Sequence, residues 1–506
     1  MPLWHGVPIS YSGRKGRTPV SAAILLLCAV LSLLGARGPA IAAAPQQAAS
    51  PSCTGTAAIP DPEPAGLVAD CEILLGLKDE LAGDAALNWS TSLPISDWEG
   101  VTVENDRVTV LDLFNKELTG RIPAKLGNLT NLKELDLAIN QLTGTIPAAL
   151  GRLTNLTRLR LGSNRLSGSI PDELANLTNI ENISLFFNQL TGSVPAWLGN
   201  LTNLKGLDLF VNQITGTIPP ELGNLTQLEA LSLGDNQLTG TIPAELGKLA
   251  NLTHLNLTDN QLKGQIPAEL SNLTNLKRLY LGDNSLTGNI PIWLGNLTKL
   301  EALSLGSTQL AGHIPVALTT LTNLQQLYLH NNQLSGAIPA ELSKLTNLRQ
   351  LHLAFNQLTG VIPVELAALT NLTFLDLSSN QLTGTIPVEL SRLTNLDELS
   401  LSSNQLTGTI PPELGKLTNL KYLALGSNDL TGTIPAELGK LTNLASLLLA
   451  DNDLTGSIPT ELDNLVPPTG NLASVRIATG NPGLCGPIPP APVSYTHLTL
   501  PTKRIV

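Results

Sequence analysis

Leucine and isoleucine return along this chain at a fixed interval. Between Leu132 and Asn155 the apolar positions are Leu132, Leu135, Leu137, Leu142, Ile146, Leu150 and Leu153. Leu135-Asp136-Leu137 alternates like a strand, so the two leucines point inward and Asp136 outward. Thr143-Gly144 predicts a turn. Pro147 predicts the start of a short helical stretch, where proline suits the first position. The pattern then repeats every 24 residues: proline stands at 123, 147, 171 and onward to 459, always with a glycine three places before it, from Gly120 to Gly456. Fifteen copies without an insertion predict a solenoid. No copy can bury its leucines alone. Stacking on neighbours does so, at roughly 1.5–3 kcal/mol per fully buried side chain.

A polar position keeps the same period. Asn140 has equivalents at 164, 188, 212 and on to 452, broken only by Lys116 and Thr308. A buried asparagine must be hydrogen-bonded, so these residues are expected to form a ladder satisfying backbone groups of the neighbouring coil. Lys116 lies in the first copy, where a ladder can end. Thr308 keeps a hydroxyl and is expected to be a local weak point. The acids two places after each proline, such as Glu245 and Glu269, read as helix-start charge on the outer face rather than as catalytic carboxylates.

Composition narrows the function classes. Charged residues are 14% of the chain and aromatics 3%, so the core is aliphatic. Net charge is −11 and no long basic run occurs, which argues against nucleic acid and anionic membrane as partners. Residues 1–42 read as a secretory signal: Arg14, Lys15 and Arg17, then the apolar run Ala22 to Leu34, then Ala40-Ile41-Ala42 as a cleavage site. The apolar run of about 13 residues is short of the roughly 20 that a membrane span needs. A Pro/Ala-rich linker is expected over 43–66. Cys28 would leave with the signal, and Cys53, Cys71 and Cys485 remain, an odd count that implies a missing partner or a free thiol.

The pattern L-x-x-L-x-L-x-x-N-x-L-x-G-x-I-P, as in Leu132 to Pro147, resembles the plant-type leucine-rich repeat over residues 108–467. The resemblance extends to extracellular ectodomains of receptor-like proteins and kinases and to polygalacturonase-inhibiting proteins. It implies an α/β solenoid, a curved superhelix with a parallel β-sheet on its concave face and short helices on its convex face. L-x-G-x-I-P would form a second short strand. Residues 67–107, with "CEILLGLKDELAGDAALNWS", Trp98 and "GVTV", resemble the family's N-terminal cap. Ser96 and Val103 stand at two family cysteine positions, so that disulfide is absent, and Cys53 with Cys71 is the candidate pair instead. Residues 468–492 resemble the C-terminal cap, where Cys485 usually pairs with a later cysteine. "VSYTHLTLPTKRIV" at 493–506 resembles translated adaptor sequence. The gene is therefore expected to continue past residue 492, where the family commonly has a membrane span and a cytoplasmic kinase.

Family ligands bind the concave face, whose exposed positions are 134, 136, 138 and 139 and their equivalents every 24 residues. All six phenylalanines fall there, as do Tyr280, Tyr328 and Tyr422, His254, His330 and His352. Two clusters are expected to bind ligand: Phe186, Phe187 and Phe210, and Tyr328, His330, His352, Phe355 and Phe374 with Tyr280 nearby. Packing against the leucine ridge is the rival reading. Arg158, Arg160, Asp208, Asp235, Asp259 and Asp283 would add polar specificity. Two histidines with no expected carboxylate or thiol beside them do not make a metal site. Glycosylation candidates are Asn88, Asn128, Asn155, Asn176, Asn182, Asn200, Asn224, Asn251, Asn256, Asn272, Asn296 and Asn371; glycan on Asn182 or Asn256 would block the concave face.

No G-x-S-x-G, H-E-x-x-H or phosphate-binding glycine loop is present, so no enzyme and no cofactor is expected. The expected function is that of an extracellular recognition ectodomain, with a protein or peptide ligand and a co-receptor as partners. A secreted inhibitor of wall hydrolases is the alternative. Thr143 and Thr145, recurring at 215/217, 239/241, 383/385, 407/409 and 431/433, raise ice binding as a third. Carbohydrate ranks behind protein as a partner, and nucleic acid is excluded.

Overall fold

Each 24-residue copy closes into one coil, and the coils stack. The computed structural model describes residues 52–486. The signal segment 1–42, the start of the linker, residues 487–492 of the C-terminal cap and the tail 493–506 lie outside the described residues. A coil begins with a strand of three residues, such as Glu134–Asp136, whose central Leu135 is fully buried. The next coil places Arg158–Arg160 beside it in parallel register, Leu135 against Leu159. Repetition builds a sheet of 17 strands. All its pairings are parallel except the first, where β1 (Val101–Glu104) runs antiparallel to β2 (Arg107–Asp112), the strand of the first coil. Strands stand about 4.8 Å apart, with the sheet along one side of the stacked coils and the 3-10 helices along the other.

Glycine and proline organise the far side. Gly144 holds φ 81°, a conformation open to residues without a Cβ. Beside it a second, thinner ladder runs through pairings such as Thr145 with Ser167, and it broadens to a seven-stranded sheet between Lys263 and Thr407. Pro147 does not start the helix. Its φ of −70° and ψ of 133° are extended, and a five-residue 3-10 helix, Ala148–Arg152, follows it, with Leu150 N–H donating to the Pro147 carbonyl. Five residues are too few for a helix dipole of consequence, so the glutamates at this position are solvated edge charges.

The asparagines form the expected ladder. Asn164 Oδ1 accepts from the Leu142 N–H of the preceding coil at 2.9 Å, while Nδ2 lies 2.9 Å from the Leu137 carbonyl and 3.1 Å from that of Leu161. In the first coil, Lys116 N–H donates to Asn140, and its ammonium pairs with Glu99 at 2.7 Å. The last rung is Asn481 in the C-terminal cap, which accepts from Leu454 N–H; it lies 29 residues after Asn452, out of the 24-residue period. At Thr308 the hydroxyl faces the Leu305 carbonyl (3.1 Å) and Asn332 Oδ1 (2.6 Å), both within its own or the next coil. Thr308→Asn would add bonds to the preceding coil at about 1 kcal/mol each. The variant is expected to melt higher by calorimetry; an unchanged melting temperature sinks the idea of a weak rung.

A second amide ladder, unforeseen in the sequence, runs along the outer edge. Asn155 Nδ2 donates to the Thr130 carbonyl at 2.9 Å, Asn179 repeats this with Thr154, and the series reaches Asn443 with Thr418.

The caps close the leucine core. In the N-terminal cap, helix α1 (Ala65–Ala82) buries Leu67, Leu74, Leu77 and Leu81. Its Asp70, fully buried, accepts from Arg107 Nε and Nη2, each at 2.9 Å, and from Val108 N–H at 2.8 Å, tying the helix to β2. Trp89 and Trp98 stack with centroids 6.0 Å apart. Cys53 and Cys71 are joined in a disulfide, Cα atoms 6.2 Å apart. Within the expected linker, Cys53 is anchored by this disulfide and Ala58 and Ile59 are buried. The C-terminal cap adds one more strand to each ladder, Ser474–Arg476 and Gly483–Cys485. Cys485 is an exposed free thiol.

Candidate ligand-binding face

The four exposed positions per coil are not equivalent. Positions 134 and 136 lie in the strand, but 138 follows it and 139 turns left-handed in every coil, with φ between 51° and 58° from Asn115 to Asp451. Phe187 and Phe355 are therefore turn residues rather than strand residues. The column's wealth of Asp, Ser and Asn, which tolerate this conformation, was the available signal.

One expected cluster is assembled. His330 and His352 stack with centroids 4.0 Å apart. Tyr328 meets both edge-on, at 6.4 and 6.5 Å, and Phe374 meets His352 edge-on at 5.4 Å. Tyr328, His330 and His352 are each only 6% exposed, so the patch is partly packing. His330 fits because it lies over Gly306, where a Cβ would collide with its ring. Phe355 stands outside, 54% exposed and in no ring contact among the described residues, and Tyr280 lies two coils from Tyr328 with Ser304 between. Three polar partners were missed. Tyr328 Oη donates to Gln350 Oε1, His352 Nε2 lies 3.1 Å from Asp376 Oδ2, and Glu398 sits on the strand after Asp376. All three occupy the same periodic columns as the aromatics.

Electrostatics follow burial. Burial, with His352 beside it, pushes the His330 pKa down to about 3, so its imidazole is neutral. Burial works against the Asp376 carboxylate, but His352 and Ser378 outweigh it and hold its pKa below the usual value. Burial, then the charge of Asp376, lifts Glu398 to about 7. The folded chain thus binds the Glu398 proton more tightly than the unfolded chain does. That contribution to stability is whole below about pH 4.5 and is lost as pH rises through 7. Among the described residues no group of three or more His, Cys, Asp or Glu is placed to hold a metal ion, even with Asp376 beside His352.

The other cluster is a set of neighbours rather than a ring stack. Phe186 lies over Gly162 on the preceding coil, and Phe187 N–H donates to the Phe210 carbonyl at 2.7 Å. No ring contact links Phe186, Phe187 and Phe210 among the described residues. Arg158 and Arg160, expected to offer specificity, are paired within the face to Glu134 (2.7 Å) and Asp136 (3.2 Å). Asp208 and Asp235 are each raised to about 6, both chiefly by burial, Asp235 also by Asp259.

The threonine column is structural at its first member. Thr143, Thr215, Thr239 and Thr431 each donate their hydroxyl to the glycine carbonyl of the preceding coil, at 3.0–3.3 Å. Of the sequon asparagines, Asn182 and Asn256 are half-buried on the sheet face and the other ten are exposed. Asn155, Asn251 and Asn371 also serve the outer amide ladder.

Comparison with known proteins places this geometry. Profiles described as leucine-rich repeats match residues 106–190 in two overlapping stretches, 203–225, 346–406, 394–436 and 443–465, and one described as a leucine-rich repeat region matches 219–356. Similar solved structures include the plant peptide hormone receptor RGFR1 in complex with RGF2, at 33% identity over 73% of this chain with TM-score 0.62. They also include the ectodomain of the Arabidopsis thaliana membrane receptor kinase GASSHO1/SCHENGEN3 in complex with CASPARIAN STRIP INTEGRITY FACTOR 2, at 33% identity over 81% with TM-score 0.54. The chain spans 66% of the length of each of these. A leucine-rich-repeat protein of Leptospira interrogans matches at 34% identity over 74% of this chain and 90% of its own length, TM-score 0.59. Among the described residues no helix is long and apolar enough to cross a membrane. With the repeat and both amide ladders in place, this chain belongs to the leucine-rich-repeat family.

Proposed function

We propose that this chain is an extracellular recognition ectodomain that binds a peptide or protein ligand on its sheet face. The observation that carries the reading is the gathering of all six phenylalanines, with Tyr280, Tyr328, Tyr422, His254, His330 and His352, on one face of coils whose own core is leucine and isoleucine. Tyr328, His330, His352 and Phe374 form one continuous patch there. Two of the similar structures are plant receptors in complex with a named ligand, which supports a ligand for this chain. Entry to the secretory pathway through residues 1–42 and glycans on exposed sequons such as Asn128 and Asn224 belong to the same reading. Glycans fit the outer surface, away from the sheet.

The test is screening of the purified chain against a library of secreted peptides and ectodomains. Binders are then re-measured on the quadruple variant Phe186→Ala, Phe210→Ala, Tyr328→Ala and Phe374→Ala. Affinity should fall about tenfold or more while circular dichroism stays that of the parent. Absence of any binder, or unchanged affinity in the variant, refutes the reading.

A further inference from the structure

The left-handed column at position 139 contains an anomaly. Most coils fill it with Asp, Ser or Asn, which tolerate positive φ. Four coils instead carry Ile139, Phe187, Val211 and Phe355, at φ of 52–55°. Bulky and β-branched side chains are disfavoured there, so the fold gains nothing from them that Asn would not supply better. Two of the four are consecutive. Across five successive coils the column reads Phe187, Val211, Asp235, Asp259, Asp283. The adjoining column at position 138 reads Phe186, Phe210, Gly234, Thr258, Gly282. An apolar ledge two coils wide therefore borders a trough with a small-residue floor and an acidic rim.

Two acids of this rim, Asp235 and Asp259, have no ion pair among the described residues. Some carboxylates on the face are matched, Glu134 with Arg158, Asp136 with Arg160 and Asp376 with His352, whereas Glu398 is not. Asp235 and Asp259, and Asp208 beside them, pair with no Lys, Arg or His among the described residues. Asp235 and Asp259 repel one another, and burial raises the proton affinity of both. A cationic ligand would supply the complement of charge that these two acids lack.

We infer that the segment from Phe186 to Asp259 docks an extended basic peptide, whose apolar anchor rests on Phe186, Phe187, Phe210 and Val211 and whose Lys or Arg side chains lie over Gly234 and Thr258 against Asp235 and Asp259. This rests on the proposed recognition function and names its ligand class. Spacing fits: coils repeat about every 5 Å, and two residues of extended chain cover roughly 7 Å. An anchor on the Val211 coil and a cation two to four residues away reach the Asp235 and Asp259 coils together.

The experiment uses the full chain and two matched sets of synthetic decapeptides, each with one central Phe or Leu. One set is followed by Arg or Lys at the second and fourth places, the other by Glu at the same places. The basic set should bind about tenfold more tightly or better, with the preference shrinking in salt. Asp235→Asn with Asp259→Asn, both tolerated at positive φ, should abolish the preference. Phe187→Asn and Val211→Asn should weaken binding of the basic set while raising the melting temperature, a pairing of signs that a packing role would not produce. Equal affinity for both sets, a preference that survives the Asp→Asn pair, or a fall in melting temperature for both Asn variants overturns the inference. If these sets fail while other peptides from the library bind elsewhere on the sheet, the recognition function stands and only this ligand assignment falls.

Discussion

An Asn284→Ala variant is expected to lose about 3–5 kcal/mol and to unfold in two stages rather than one. Asn284 is buried. Its Oδ1 accepts from Leu262 N–H at 2.9 Å, and its Nδ2 lies 2.9 Å from the Leu257 carbonyl, 3.1 Å from Leu281 and 3.0 Å from Gly282. Alanine removes these partners while leaving the backbone groups buried, and each stranded group costs about 1–3 kcal/mol. The damage falls beside Thr308, the rung already short of bonds to its preceding coil. Because coils contact only their neighbours, two weak steps in succession separate an N-terminal from a C-terminal block. Calorimetry should show a broadened or split transition, and hydrogen exchange should rise around residues 257–310. One sharp transition displaced by less than about 1 kcal/mol would sink the account.

Asp70→Ala is expected to release the N-terminal cap at a cost of about 3 kcal/mol. Removing one partner of a buried ion pair typically costs 3–5 kcal/mol. The low end applies because the Arg107 side chain is 29% exposed and can rehydrate. The carboxylate also takes Val108 N–H, so β2 loses a backbone partner as well as a charge. Once α1 lifts, Leu111, Leu113 and Leu118 of the first coil, now fully buried, meet water. Hydrogen-exchange protection should fall over 65–112 and hold beyond the fourth coil. Asp70→Asn, which retains an acceptor, should recover part of it. Protection unchanged over 65–112 in the alanine variant would show that the disulfide and leucines hold the cap alone.

The repeat was legible because one copy's chemistry is written fifteen times. Leu135 and Leu137, the glycine before the proline and the recurrent asparagine each have a local reason that survives stacking. What stayed hidden depends on the neighbouring coil. Nothing in "GNLTNL" says that the Asn155 amide reaches the Thr130 carbonyl 25 residues back, or that the Thr143 hydroxyl is taken by Gly120. Pro147 misled by one residue because an extended proline before a 3-10 turn and a proline inside a helix look alike in sequence. Asp70 and Arg107 are 37 residues apart and outside the period, so no pattern joined them. The face itself was half legible. Columns placed Tyr328, His330, His352 and Phe374 on one side, but which rings meet depends on small neighbours such as Gly306 and on the left-handed turn that carries Phe355 away.

The uniformity of the asparagine ladder also has a mechanical meaning. A chain stretched from its two ends loads the coils in series, and every interior coil is latched to the one before it by a similar set of bonds. Each release frees 24 residues, roughly 80 Å of extended contour. The protein would therefore yield in equal steps, as a ratchet pays out line, with Thr308 marking the tooth that slips first.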